Sequence, residues 1–265
     1  MPLPRKILVA LSLALLCVLA ACMSAPQRSV GEFVERSVDV DGSTYRYQVF
    51  VPSSAAGGKR PPVILFLHGS GERGSDNHKQ VEVGIGGYVR AHLSDFPAIV
   101  VFPQAPENME WNQVADMAFA QLDAATREFN GDPERTYLTG LSMGGYGTWD
   151  YALRSPQRFA ALVPICGGLT HPERPSMNVQ GIAGLADPYA AVAAKLREIP
   201  VWIFHGAKDD TVPQEFSRRM DAALKATGAK DARYTEFPDA GHNSWDPAYQ
   251  ETPALWPWLF AQRRR

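Results

Sequence analysis

Five short, largely apolar runs, separated by stretches long enough to form helices, constrain the fold of this chain most strongly. They occupy residues 63–67, 98–102, 136–139, 160–165 and 201–204. A run of this kind without polar alternation is typical of a strand buried on both faces, as in parallel sheets covered by helices. The order of the elements therefore predicts an α/β fold with a mostly parallel central sheet and helices on both faces.

A β-hairpin is predicted before the first of these runs. Residues 38–40 and 44–51 alternate in polarity around Asp41-Gly42, a dipeptide that accepts positive φ angles. Residues 167–199 are longer than a plain crossover needs, and we expect this stretch to line the mouth of a site. Helices are predicted over residues 79–92, 114–129, 143–154, 214–227 and 247–263.

The first residues predict export rather than part of the fold. Arg5 and Lys6 precede an apolar run over 7–21, which is typical of a signal peptide and too short to cross a bilayer. The run ends in Leu-Ala-Ala followed by Cys22, which resembles the lipobox of bacterial lipoproteins. That resemblance implies cleavage before Cys22 and diacylation of its thiol; an ordinary signal with a chance cysteine is the alternative.

These features predict three segments: a signal peptide at 1–21, a lipidated tether at 22–31, and a single domain at 32–265. The 265 residues, of which 45% are hydrophobic, suffice to bury a sizeable core in one unit. We expect an exported bacterial cell-envelope protein, facing the periplasm or held at the outer membrane, that touches the membrane only through its lipid anchor.

Composition argues against two classes of partner. Lys and Arg number 26 against 28 Asp and Glu, so the chain lacks the basic excess that nucleic-acid binding requires. Six scattered histidines and three cysteines show no zinc-type spacing. We therefore expect no nucleic acid and no metal.

The strongest motif lies where the third apolar run meets a predicted helix. Gly140-Leu-Ser142-Met-Gly144 fits the Gly-x-Ser-x-Gly pattern in its required strand–turn–helix context. Glycines on both sides permit a turn too tight for β-carbons, and the turn exposes Ser142 as a candidate nucleophile. A serine hydroxyl needs a neighbouring base, and that base needs an orienting acid.

Both partners are found further along the chain. Asp209 follows the run at 201–204, and His242 follows a predicted last strand at 234–237. The order Ser142, Asp209, His242 is that of α/β-hydrolases. Asp209 is favoured as the orienting acid, although a slip of one residue to Asp210 remains open.

An oxyanion hole requires two backbone donors. Met143, which follows the candidate nucleophile, supplies one. The second is expected in the loop that begins at His68-Gly69, with Ser70 as the predicted donor and Gly71 as the neighbouring alternative.

Four segments together carry a family resemblance, which extends over about residues 35–262. They are Leu67 to Gly74, Gly140 to Trp149, Pro164 to Gly168 and Gly241 to Trp245. They resemble serine esterases of the phospholipase/carboxylesterase and dienelactone-hydrolase group, in particular the predicted-peptidase branch related to feruloyl and polyhydroxybutyrate esterases.

The resemblance implies an α/β-hydrolase fold and cofactor-free hydrolysis of small carboxylic esters through an acyl-serine intermediate. Two alternatives remain: a serine peptidase acting on small peptides, and a non-catalytic binding lipoprotein on the same fold.

Other residues have both a functional and a structural interpretation. Trp111 and Trp245 are candidate substrate-binding walls, with loop packing as the alternative for each. Cys166 is predicted to be a core residue rather than a nucleophile. His68 and His205 are expected to be structural hydrogen bonders, and Arg73 is expected to pair with Glu72.

Overall fold

A computed structural model describes residues 30–58 and 60–264 of the chain. The predicted signal peptide, Cys22 and nearly all of the predicted tether lie outside these residues. No helix within the described ranges combines the length and the apolar character needed to cross a membrane.

Eight strands form one sheet in the spatial order β1-β2-β4-β3-β5-β6-β7-β8. The first two strands form the predicted antiparallel hairpin, and β2 also runs antiparallel to β4, whereas the remaining neighbours are parallel. The strands are β1 (Glu32–Val40), β2 (Ser43–Val51), β3 (Val63–Leu67), β4 (Ile99–Pro103), β5 (Thr136–Leu141), β6 (Ala161–Ile165), β7 (Val201–Gly206) and β8 (Ala232–Phe237).

The predicted α/β class and the mostly parallel sheet are therefore confirmed. Asp41 and Gly42 take φ angles of 50° and 79° in the hairpin turn, as the dipeptide predicted.

Side chains alternate between two apolar clusters, one on each face of the sheet. In β3, Leu65 packs into one cluster while Ile64 and Phe66 pack into the other. The first cluster includes residues from α2 (Ala115–Glu128), α3 (Met143–Arg154), α4 (Pro188–Leu196) and α5 (Glu215–Ala226). The second includes residues from α1 (Ile85–Ala91), α6 (Trp245–Gln250) and α7 (Leu255–Phe260). Helices on both faces are thus confirmed.

Three predicted elements differ from the structure. The helix expected at 79–92 is a short 3-10 turn followed by α1, because Gly84 adopts a φ of 61° between them. The helix expected at 247–263 is divided into α6 and α7, and Pro253 lies in the break. The stretch at 167–199 contains α4, which begins at Pro188 after an Asp187 cap that the sequence analysis missed.

Two adjacent glycines in α1 allow a direct test of this packing. A β-carbon on Gly86 would lie 2.2 Å from the carbonyl oxygen of Val81, whereas one on Gly87 would meet nothing within 4 Å. We expect Gly86→Ala to lower the free energy of unfolding by about 1–3 kcal/mol. The matched Gly87→Ala should raise it by about 0.5–1 kcal/mol, because alanine is the better helix former. Denaturant unfolding measures both; equal shifts in the two variants would contradict the packing described.

Candidate active site

Ser142 lies in the sharp turn between β5 and α3. Its φ of 53° is in the left-handed region, and its amide donates to the carbonyl oxygen of Ile165 at 3.0 Å. A β-carbon on Gly144 would lie 1.9 Å from the carbonyl oxygen of Leu67, and one on Gly140 would lie 2.3 Å from that of Gly144. The two glycines are therefore needed for the backbones to approach so closely.

His242, in the loop between β8 and α6, connects the serine to a carboxylate. Its Nε2 lies 2.9 Å from Ser142 Oγ, and its Nδ1 lies 2.8 Å from Asp209 Oδ2. The Trp245 ring stands perpendicular to the imidazole, with 5.5 Å between the ring centroids. The structure thus brings together the three side chains predicted from the sequence and places Trp245 beside them.

Asp209 follows β7, and its side chain is fully buried. Its Oδ1 accepts hydrogen bonds from the backbone amides of Thr211 and Val212, each at 2.9 Å. Burial opposes ionisation, but these bonds, the bond with His242 and the close approach of His205 hold the pKa of Asp209 well below its usual range. The neighbouring Asp210 is exposed, and among the described residues its side chain accepts a hydrogen bond only from the Thr211 hydroxyl, at 3.3 Å. The carboxylate facing the histidine is therefore that of Asp209.

Two backbone amides predicted as oxyanion donors flank the serine. Met143 is the first residue of α3, and Ser70 begins a 3-10 turn after Gly69. The β-carbon position of Gly69 lies 3.6 Å from Ser142 Cβ, so this loop packs directly against the serine. Within the described ranges, neither the Ser70 nor the Met143 amide donates to a backbone oxygen. The amide of Gly71, in the same turn, likewise donates to no backbone oxygen of the described residues, so the choice of Ser70 over Gly71 as the second donor stays a prediction.

The His68 side chain holds the Gly69–Ser70 loop in place through hydrogen bonds. Its Nε2 accepts from the Ala105 amide at 3.0 Å, so Nδ1 carries the proton donated to the carbonyl oxygen of Gly69 at 2.6 Å. Trp111 Nε1 donates to the His68 carbonyl oxygen at 2.9 Å. Because Trp111 is only 1% exposed, its position fits the packing alternative rather than a wall of the substrate pocket.

Arginines hold Ser70 from two sides. Arg73 Nε donates to the Ser70 carbonyl oxygen at 3.1 Å, and its guanidinium lies 3.6 Å from Glu110, not Glu72 as expected from the sequence. Arg174 Nη1 reaches Ser70 Oγ at 3.4 Å. The stretch at 167–199 therefore does extend to the site, but no sequence signal singled out Arg174 within it.

One group of possible metal ligands is found within the described residues. Ligand atoms of Cys166, Asp209 and His242 lie within 4.8 Å of one another. The carboxylate and imidazole are hydrogen-bonded to each other, and burial raises the pKa of the Cys166 thiol to about 12. A protonated thiol behind a hydrogen-bonded pair fits a proton-transfer site better than a metal centre.

With this geometry established, the comparison with known families is decisive. Residues 40–252 match the family described as "Putative esterase". The chain belongs to this esterase family. The match includes all three of the hydrogen-bonded side chains.

Individual relatives agree with the esterase family. A "Putative carboxymethylenebutenolidase" of Salmonella typhimurium strain LT2 is 36% identical over 132 residues, 48% of this chain and 44% of the relative. A "Poly(3-hydroxyoctanoate) depolymerase" of Pseudomonas fluorescens is 28% identical and covers 74% of this chain and 72% of its own length. A solved thermostable esterase is 33% identical, with a TM-score of 0.71 over 88% of this chain and 63% of its own.

These findings confirm the predicted resemblance to the esterase and dienelactone-hydrolase group. The aligned part spans less than half the length of the carboxymethylenebutenolidase relative.

The buried His68 predicts a pH dependence of stability. Burial lowers the pKa of His68 to about 4 from 6.5. Between these two pH values the unfolded chain binds a proton that the folded chain does not. The contribution of the neutral His68 to the free energy of unfolding is therefore fully present above pH 6.5 and is lost as the pH falls towards 4. We expect His68 to account for about 3 kcal/mol of this loss.

The measurement is urea unfolding of the native chain and of His68→Gln across this pH range. In His68→Gln, the free energy of unfolding should depend less steeply on pH, by the amount that corresponds to the uptake of one proton on unfolding. His171, whose pKa burial also lowers, is present in both chains and cancels in the comparison. An identical slope in the two chains would contradict the account.

Proposed function

We propose that the chain is a serine esterase in which Ser142 is the nucleophile, His242 the general base and Asp209 the orienting acid. The observation that carries this proposal is the continuous series of hydrogen bonds from Ser142 Oγ to His242 and from His242 to the Asp209 carboxylate, at 2.9 and 2.8 Å. A hydroxyl in such a series can lose its proton to the imidazole as it attacks.

The proposed reaction follows from this arrangement. Ser142 Oγ attacks the ester carbonyl while His242 Nε2 takes its proton, and the buried Asp209 stabilises the resulting imidazolium. The oxyanion accepts hydrogen bonds from the free amides of Met143 and Ser70, and each such donor contributes about 3 kcal/mol to transition-state stabilisation. The imidazolium then protonates the leaving alcohol, and a water molecule activated by His242 releases the acid from the acyl-serine.

The esterase family and the names of the relatives support small carboxylic esters as the proposed substrates of this chain. The Pseudomonas fluorescens relative is named for a polyester, and the carboxymethylenebutenolidase for a lactone, so both names describe cleavage of an ester bond. The predicted alternatives, a peptidase of small peptides and a non-catalytic binding lipoprotein, remain outcomes of the experiment below.

We further propose that the mature chain is lipid-anchored at Cys22 in a bacterial cell envelope. The position of the start of β1 indicates how the anchored domain would be oriented relative to the membrane. Glu32 pairs with Val51 at the edge of the sheet where the parallel strands begin, whereas Ser142 follows the carboxyl end of β5. A tether entering beside Glu32 would point the candidate site away from the membrane.

The catalytic proposal is tested by replacing the nucleophile. In Ser142→Ala we expect hydrolysis of p-nitrophenyl acetate to fall by at least about a thousandfold and labelling by a fluorophosphonate probe to disappear. Ser155→Ala, at the opposite end of the same helix, is the matched control and should keep both. The native chain should cleave esters well and peptides poorly. Equal labelling of the native and Ser142→Ala chains would refute the mechanism, and no labelling of either would favour the binding lipoprotein.

The anchor is tested by Cys22→Ser. Without the thiol that accepts the diacylglyceryl group, the chain should leave the membrane fraction or remain unprocessed, which fractionation and intact mass together report. Cys17→Ser is the matched control, because the predicted cleavage removes this residue with the signal peptide. Unchanged processing and membrane retention in Cys22→Ser would exclude lipidation.

A further inference from the structure

A second imidazole contacts the carboxylate of the candidate triad. His205 Nε2 lies 3.2 Å from Asp209 Oδ2, the same oxygen that His242 Nδ1 contacts at 2.8 Å. His205 is the fifth residue of β7, and both its side chain and that of Asp209 are fully buried. The Asp209 oxygen that faces His242 therefore lies close to two ring nitrogens, one from each histidine.

The contacts of His205 define which of its nitrogens carries the proton. Nε2 lies 2.9 Å from the carbonyl oxygen of Val212, which can only accept, so Nε2 is the donor. In the neutral ring, Nδ1 then accepts from the Ser217 hydroxyl at 2.7 Å. The Nε2–H makes its hydrogen bond to Val212, the 3.2 Å approach of Nε2 to Asp209 Oδ2 is a close polar contact, and Ser217 in α5 fixes the orientation of the ring.

Building on the proposed function, we infer that His205 is a positioning residue. It helps to hold the Asp209 carboxylate in place and weakens the electrostatic attraction of that carboxylate for the His242 imidazolium. The electropositive N–H edge of the His205 ring, 3.2 Å from Oδ2, partly offsets the negative charge of the oxygen that must stabilise the imidazolium. Loss of that contact leaves the charge of Oδ2 to act on His242 alone and removes one of the groups that hold the carboxylate in place. Asp209 then attracts the His242 imidazolium more strongly, and the ring is less precisely aimed at Ser142.

Neighbouring ionisable groups do not produce the same signature. Cys166 lies against the pair after β6, and burial raises the pKa of its thiol to about 12. Burial likewise raises the pKa of Tyr146 on α3. Glu236 on β8 is paired in register with His205, and its hydrogen bonds with Arg218 lower its pKa. All three keep one charge state near neutral pH, so a shifted acid limb reports on the Asp209–His242 pair.

Three variants test the inference on the full chain. His205→Leu removes the donor, His205→Gln retains an amide N–H that can reach Asp209, and Ser217→Ala removes only the partner that fixes the ring. The first measurement is the pH profile of kcat/KM for p-nitrophenyl acetate. The second is the downfield proton resonance of the His242 Nδ1–H, which reports on the bond to Asp209 without requiring turnover.

In His205→Leu we expect the acid limb of the profile to move up by about half a pH unit to one unit and kcat to fall about tenfold, with KM nearly unchanged. His205→Gln should restore the native limb. If His205→Leu does not fold, Ser217→Ala should show a smaller shift in the same direction.

A purely structural role would reduce stability or kcat but leave the limb and the resonance in place, and that result would overturn the inference. Should ester cleavage survive in Ser142→Ala, the proposed function fails. The His242 resonance still decides the inference in that case: a native resonance in His205→Leu overturns it, and a displaced resonance restored by His205→Gln supports it.

Discussion

The approach of the Gly144 backbone to strand β3 is the contact on which the candidate site depends. With 1.9 Å between a β-carbon placed there and the Leu67 carbonyl oxygen, any side chain would force α3 away from the sheet. The same contact holds Ser142 in its left-handed conformation and places the first amides of α3 beside its hydroxyl. Position and electrostatics of the serine thus arise from one tight turn.

Burial of charge is the second constraint. A fully buried carboxylate is costly unless hydrogen bonds compensate for the lost water; Asp209 has bonds from two amides and the His242 imidazole, and His205 Nε2 lies 3.2 Å from it. On the other side of the serine, the buried polar ring of His68 is likewise compensated by hydrogen bonds: its neutral form connects the Gly69 carbonyl oxygen to the Ala105 amide. Two buried histidines, each followed by a glycine, therefore support the two halves of the site, and neither is hydrogen-bonded to Ser142.

The sequence predicted the sheet, the hairpin and the order of the three site residues because their signals are local: uninterrupted apolar runs, Asp41-Gly42, and glycines around Ser142. It predicted less well where distant segments decide. Arg73 pairs with Glu110 across the fold instead of with its neighbour, and Arg174 reaches Ser70 from more than a hundred residues away. Trp111 looked equally suited to a pocket wall or to packing, and only the tertiary structure shows that it is buried. The Asp187-Pro188 start of α4 was a readable signal that was missed.

Acylation of the Ser142 hydroxyl by the substrate is the step on which the proposed function depends. Rapid acid quenching of the chain during p-nitrophenyl acetate turnover, followed by peptide mapping by mass spectrometry, tests it directly. We expect the added mass of one acetyl group on the peptide that carries Ser142, rising within the first turnover and decaying after the substrate is consumed. Turnover with no acetyl group on that peptide, or with the acetyl group on another residue, would contradict the claim.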